Sequence, residues 1–305
     1  MGHATDRDAD ADVDADERRG TNGGETTVAD RFQHLLKLSR PRFWFYLAGP
    51  VVVGVAYGAN TTDQLFAPAA VAMFAYFLVP ANVYLYGIND VFDRDVDAEN
   101  PKKEGREVRF RGQRFVVVAV VVCGLGLLAL VPLVPMESLP WLGAYLLLAT
   151  EYSAPPFRFK TTPFLDSASN GLYVLPGAAA YVAVAGAQPP LFAVVGAWLW
   201  TMGMHTFSAI PDIAPDRDVG IETTATVLGK RRTYAYCAGV WALSAGCFLV
   251  LDVRMGAVLA AYPAFVTAIA GSEVTVDRAY WWFPAINTVV GAVLTMSRLW
   301  VMVHG

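Results

Sequence analysis

The chain has 305 residues, of which 55% are hydrophobic and 16% charged, with a formal net charge of −4. A soluble domain carries about 25% charged residues, so this composition excludes an ordinary water-soluble globule and points to a membrane protein. The expected partner is the lipid bilayer, and no nucleic acid is expected.

The first 30 residues carry the acidic tract "DRDADADVDADERRG". They lack the apolar core of a secretory signal peptide and read as a solvated, disordered tail. The aspartate-rich tail and the preference for Arg over Lys suit a salt-adapted organism. Residues 31–305 form the membrane domain. A membrane helix needs roughly 20 apolar residues, and nine stretches are candidates, at about 43–59, 68–88, 114–134, 139–155, 164–186, 190–210, 233–251, 255–271 and 280–302. Pro80, Pro176 and Pro263 fall inside spans, which neighbouring helices tolerate in a membrane. Cys123, Cys237 and Cys247 lie within spans at no ligand-like spacing and are expected to be packing residues.

Basic residues set the topology. With the N-terminus in the cytoplasm, the cytoplasmic links carry Arg94, Lys102, Lys103, Arg106, Arg109, Arg111 and Arg114, then Arg158 and Lys160, then Arg217, Lys230, Arg231 and Arg232, then Arg278. The opposite links carry only Arg254. This is the positive-inside pattern, and it leaves the C-terminus outside.

The link after the second span begins "NDVFDRDVDAEN", with aspartates at 90, 93, 95 and 97. On a continuing helix at about 100° per residue, Asn89, Asp90, Asp93 and Asp97 share one arc of about 100°, while Asp95 faces away. The segment aligns without a gap to "DIAPDRDVGIE" at 212–222, offset by 123 residues. There Asp212 and Asp216 share a face, and Asn82 in the second span matches His205 in the sixth. The echo implies an internal four-helix repeat, of the kind that builds membrane sites at repeat interfaces.

Carboxylates this close repel unless a cation holds them. Oxygen-only ligands favour Mg²⁺, which is commonly shared between carboxylates and phosphates. Asn89, Asp90, Asp93, Asp97, Asp212 and Asp216 are therefore the candidate metal residues, with Asp93, Asp97, Asp212 and Asp216 the candidates for catalysis. Lys102, Arg158, Lys160 and Arg217 are candidates to bind a diphosphate, with Lys103, Arg106 and Lys230 nearby. A diphosphate held at a membrane edge with its tail in lipid is an allylic isoprenyl diphosphate. Heterolysis of its C–O bond gives a cation that needs aromatic faces and exclusion of water. Tyr84, Tyr86, Phe92, Tyr152, Phe157, Phe159, Tyr173 and Phe207 are near enough in sequence to serve.

Asp166, Asn170 and His205, with Tyr152, are candidate polar groups of an acceptor cavity. Asp166 is equally placed to cap a helix, and His205 to pack between helices. Glu151 caps the fourth span or pairs with Arg158. A cation transporter also uses repeats and acidic clusters, but its charges belong near the bilayer midplane. A non-catalytic lipid-binding scaffold needs neither acidic segment.

Three ordered motifs, "NDVFDRDVD", "YSAPPFRFK" and "DIAPDRDVG", together resemble the UbiA superfamily of intramembrane prenyltransferases, from about residue 36 to the end. The resemblance implies an all-α membrane fold of nine transmembrane helices around a central cavity with a cytoplasmic cap. It implies Mg²⁺ and diphosphate on Asn89, Asp93, Asp97, Asp212 and Asp216, supported by Asp90, and diphosphate contacts from Arg158, Lys160, Arg217 and Lys102. Many relatives carry Arg-Pro after the first motif. This chain has "NPKKEGREVRFRG" instead. The stretch "YSAPPFRFKTTPFLDSASNGLYVLPG" most resembles carotenoid-extending members. The implied reaction is C5 addition from dimethylallyl diphosphate to a lipophilic acceptor such as lycopene, with a quinone precursor or a geranylgeranylglyceryl phosphate as alternative acceptors.

Overall fold

The computed structural model describes residues 27–93, 110 and 112–305. The acidic tail through residue 26, Asp97 and the cations Lys102, Lys103 and Arg106 lie outside the described residues. The chain divides into two compact units, residues 1–34 and 35–305. In the first, Thr27 and Asp30 cap the start of helix α1 (Val28–Leu38) reciprocally: Thr27 N–H and hydroxyl donate to the Asp30 carboxylate, and Asp30 N–H donates back to Thr27 Oγ1.

The second unit is helical, with no strand among the described residues. Among the described residues, six stretches are long and apolar enough to cross a membrane: Pro68–Phe92, Arg114–Leu133 (opening with α5, Arg114–Leu125), Leu165–Ala185 (opening with α7, Leu165–Ala168), Thr224–Leu251, Val253–Ala270 and Phe283–His304. The sequence predicts nine. The other three predicted spans are occupied by α2 (Trp44–Gly58), α6 (Leu139–Glu151) and α9 (Leu191–Ser208), helices of 15, 13 and 18 residues. The outward faces of the long helices carry exposed Val118, Val122, Leu125, Leu128 and Trp300. Such runs of apolar surface suit lipid and not water.

Prolines mostly mark where helices begin. Pro80 opens α4 (Pro80–Phe92) directly after α3 (Pro68–Leu78), and Pro176 sits in the first turn of α8 (Leu175–Ala185). A proline lacks the N–H that would continue the preceding ladder. At the α3–α4 break the buried Asn82 amide answers this loss by donating to Phe77 O and Leu78 O, each at 3.0 Å.

The apolar core falls into two clusters. One draws on residues between Leu38 and Ala180, the other on residues between Met204 and Phe283. α2 and α8 cross at glycines: a Cβ on Gly54 would lie 2.1 Å from Gly177 O. Small residues allow such backbone approach in membranes.

The acidic segments are not continuous helices as expected. α4 ends at Phe92, with Asp93 as its C-cap. α9 ends at Ser208. A 3₁₀ turn, Ile210–Asp212, then leads into α10 (Ile213–Asp218). Pro211 cannot donate to the α9 ladder, so the turn tightens there.

Candidate active site

Two long-range hydrogen bonds dock α4 against α6. Tyr84 hydroxyl meets Thr150 Oγ1 at 2.8 Å, and Tyr145 hydroxyl donates to Ala81 O at 3.2 Å. This fixes the loop that leaves α6 over the C-terminal end of α4. The loop folds on itself, because Lys160 N–H donates to Tyr152 O at 3.1 Å and Arg158 N–H to Ala154 O. Glu151 accepts from Phe157 N–H inside the same loop, so its place is structural.

This loop delivers three side chains to the first acidic segment. Ser153 donates to Asn89 Oδ1 at 3.2 Å. Lys160 Nζ donates to the same Asn89 oxygen at 3.1 Å and pairs closely with Asp93 Oδ2. Arg158 reaches Asp93 Oδ1 at 3.2 Å. Helix C-termini carry negative partial charge, so α4 adds its own attraction for these cations. Asp90, 5% exposed, pairs with Arg40 at 3.5 Å, and the Arg40 guanidinium lies 4.6 Å from the Tyr86 ring centre. Arg40, Arg158 and Phe164 are the described non-glycine residues with positive φ, at 50°, 41° and 66°. The left-handed region costs an ordinary residue about 1–2 kcal/mol. Two of these strained positions aim an arginine at the acidic segment, and the third lies two residues before Asp166.

Sequence reasoning missed Arg40 and Ser153. Ser153 sat within a quoted motif, and its partner Asn89 is 64 residues away. Arg40 stood before the first span and outside any motif.

In the second segment, Asp212 ends the 3₁₀ turn and Asp216 lies in α10. Arg217, expected on a diphosphate, donates through Nε and Nη2 to Thr226 O in the first turn of α11 (Thr224–Leu251). Among the described residues, no group of three or more His, Cys, Asp or Glu is gathered closely enough to hold a metal ion. Asp97 of the expected six-residue metal set lies outside the described residues, and Asp90, Asp93, Asp212 and Asp216 do not gather in threes among the described ones. What the structure does bring together is a pair of neutral and anionic oxygens, from Asn89 and Asp93, that converge on one ammonium. The donor chemistry suits a hard cation.

At the seam of the two core clusters lies a cavity of about 630 Å³, in whose wall His205 meets the ring of Tyr152, the chain neighbour of Ser153. Its wall is mostly apolar, with Tyr46, Tyr173, Asn170, His205, Ser208 and Asn287 among its polar or aromatic members. Of the expected acceptor-cavity residues, Asn170 and His205 line it. Tyr152 stands edge-on to His205, ring centres 6.0 Å apart. Asp166 is fully buried. It caps a helix, though not its own: Thr224 N–H donates to Oδ2 at 3.0 Å and Thr224 hydroxyl to Oδ1, at the N-terminus of α11. Among the aromatic candidates, Tyr173 lines the cavity and Tyr86 underlies Arg40. Tyr84 and Phe207 belong to the two core clusters, and Phe157 stacks on Phe159 within the loop.

The profile of the UbiA prenyltransferase family matches residues 43–284. A protein of Halobacterium salinarum named lycopene elongase/hydratase is 64% identical over 274 residues, covering 90% of this chain and all of the relative. A lycopene elongase/hydratase of Haloferax volcanii is 60% identical, over 97% of this chain and 99% of that protein. Among solved structures, a UbiA homologue from Archaeoglobus fulgidus bound to DMAPP and Mg²⁺ superposes with a TM-score of 0.65 at 20% identity, covering 89% of this chain and all of that one. At that identity the likeness establishes the fold.

Proposed function

This chain belongs to the UbiA prenyltransferase family, a multi-pass membrane fold, and we propose that it transfers a five-carbon prenyl group from dimethylallyl diphosphate to the end of lycopene. The observation that carries the reading is the convergence of Lys160, Arg158, Asn89 and Asp93 at the end of α4, in a fold that also holds a mostly apolar cavity of about 630 Å³. The full-length similarity to haloarchaeal proteins named lycopene elongase/hydratase supports the choice of acceptor.

The residues of this chain divide the work. Lys160 and Arg158, two cations sharing one carboxylate, supply charge for diphosphate oxygens. Asn89 and Asp93, with Asp97, Asp212 and Asp216, would hold Mg²⁺, with Asp90 orienting Arg40 beside them. When bound, the ion neutralises charge that develops on the leaving diphosphate. The mostly apolar cavity wall would disfavour water, and Tyr46 and Tyr173 line it where an allylic cation needs aromatic neighbours. The acceptor attacks as an alkene, because a polyene offers no acidic hydroxyl. Basic residues in the even-numbered links favour a cytoplasmic N-terminus, an external C-terminus and a site open to the cytoplasm. The division of the core near residues 180–204 supports descent from a duplicated four-helix unit.

The test is product formation by purified protein in detergent, where no ion gradient exists. Dimethylallyl or geranylgeranyl diphosphate is offered with lycopene, an aromatic acid or a geranylgeranylglyceryl phosphate. Mg²⁺-dependent extension of lycopene by five or ten carbons is expected. Turnover only with another acceptor would reassign the substrate, and none with any pair would return the transporter reading.

A further inference from the structure

His205 and Asp166 have no part in holding the diphosphate, yet their placement is specific. The His205 ring lines the cavity and keeps 22% of its side-chain surface open. Behind it, Asp166 has no exposed surface, and its Oδ2 lies 3.9 Å from His205 Nε2. The carboxylate is held on both oxygens by Thr224, the first residue of α11. A helix N-terminus favours negative charge beside it, and the two hydrogen bonds from Thr224 hold this carboxylate in one orientation. An ionised carboxylate facing Nε2 favours the tautomer with the proton on that nitrogen and the lone pair on Nδ1. Tyr152 stands edge-on to the ring, and Ser208 donates to His205 O at 2.7 Å. His205 and Asp212 are seven positions apart through the end of α9 and the 3₁₀ turn, about 10–14 Å along the axis at the rise of the two helix types. A diphosphate and a five-carbon chain together span that distance.

Building on the prenyl-transfer reading, we propose that His205, oriented by Asp166, accepts the proton released when the coupled carbocation is quenched. The C–O bond of the allylic diphosphate breaks, and diphosphate leaves with the electron pair. The π pair of the acceptor alkene forms the new C–C bond and leaves a cation on the neighbouring carbon. That cation is quenched in one of two ways. An adjacent C–H bond supplies its electrons to a new double bond, or the oxygen of a water molecule bonds to the carbon. Each route releases one proton, and Nδ1 takes it. Asp166 stabilises the imidazolium until the products leave and the proton passes to solvent. Asp166 is a positioning residue and His205 the base.

The experiment compares wild type with His205→Ala and His205→Gln, purified in detergent with Mg²⁺, dimethylallyl diphosphate and lycopene. Extended carotenoids are resolved by mass into olefinic and hydroxylated forms. Donor binding is followed separately, as thermal stabilisation by dimethylallyl diphosphate with Mg²⁺. Both variants are expected to bind donor as wild type does, with unchanged KM for it. Their kcat falls at least about 100-fold, and glutamine, which keeps size and polarity but no base, does no better than alanine. Asp166→Asn is expected to lower kcat in the same direction at unchanged KM. Because Asp166 also caps α11, the decision rests on the His205 variants. Near wild-type turnover in either would overturn the proposal and leave a diphosphate oxygen as the base. Loss of donor-dependent stabilisation in His205→Ala would overturn it too, by making the ring structural. Failure of the wild type itself to extend lycopene sinks the underlying reading and this proposal together, and is seen before any variant is compared.

Discussion

Lys160 donates a hydrogen bond to Asn89 Oδ1 at 3.1 Å, joining positions 71 residues apart in the chain. The same ammonium pairs with Asp93. Its place marks a point where one oxygen from the last turn of α4 and one from its C-cap accept positive charge. Both partners are mostly sheltered from solvent, at 13% and 15% side-chain exposure, so the pair is stronger than an exposed ion pair.

Lys160→Met removes that charge. Charge-assisted hydrogen bonds are worth about 1.5–3 kcal/mol, so kcat/KM for the diphosphate substrate should fall about 10- to 100-fold. Lys160→Arg should recover only part of it, because a planar guanidinium does not replace a point charge at a shared oxygen. Steady-state kinetics on the three proteins decide this. Equal activity of all three would remove Lys160 from the site.

Asp93→Asn and Asp216→Asn test the two acidic segments independently. Each should cut turnover at least about 100-fold, while circular dichroism shows an intact helical fold. Chelation of divalent cations should do the same to wild type, reversibly on adding Mg²⁺. If Asp216→Asn keeps near-normal turnover, the second segment has no part in the chemistry.

Asn82→Leu strips the α3–α4 break of its two side-chain hydrogen bonds. The expected loss is about 1–2 kcal/mol of stability, read as a lower thermal midpoint in detergent. Adding Pro80→Ala should restore much of it, because an uninterrupted helix supplies backbone N–H groups to the same carbonyls. Additive destabilisation in the double variant would show that Asn82 serves another purpose.

Gly54→Ala places a methyl group 2.1 Å from Gly177 O, against backbone that cannot turn aside. Overpacking of this kind costs about 1–3 kcal/mol. Both glycines line the cavity, so lycopene turnover should fall along with thermal stability. A stable, fully active variant would mean that α2 and α8 separate freely.

Much of the site was legible where the signal was local. Asn89, Asp93, Arg158 and Lys160 were singled out on residue type and motif, and the structure joins those four. Asp166 had two local readings, cavity group or cap of its own helix. It instead caps α11, whose first residue is 58 positions further on. Arg217 was assigned to the diphosphate by sequence proximity, yet its guanidinium rests on Thr226 O. The helical-wheel argument for the acidic segments assumed an unbroken helix, and Pro211 and the end of α4 at Phe92 interrupt it.

The amino-acid order by itself determined the membrane class, the approximate helix positions and the acidic and basic motifs. Hydropathy, proline placement and charge spacing are properties of neighbouring residues, and they act before any long-range contact forms. Only the tertiary structure decided which cation meets which carboxylate: Lys160 and Arg158 on Asp93, Arg40 on Asp90, His205 facing Asp166. Those pairings join chain segments tens of residues apart, and they follow from how the helices pack, through close glycine crossings and a few buried hydroxyl bonds.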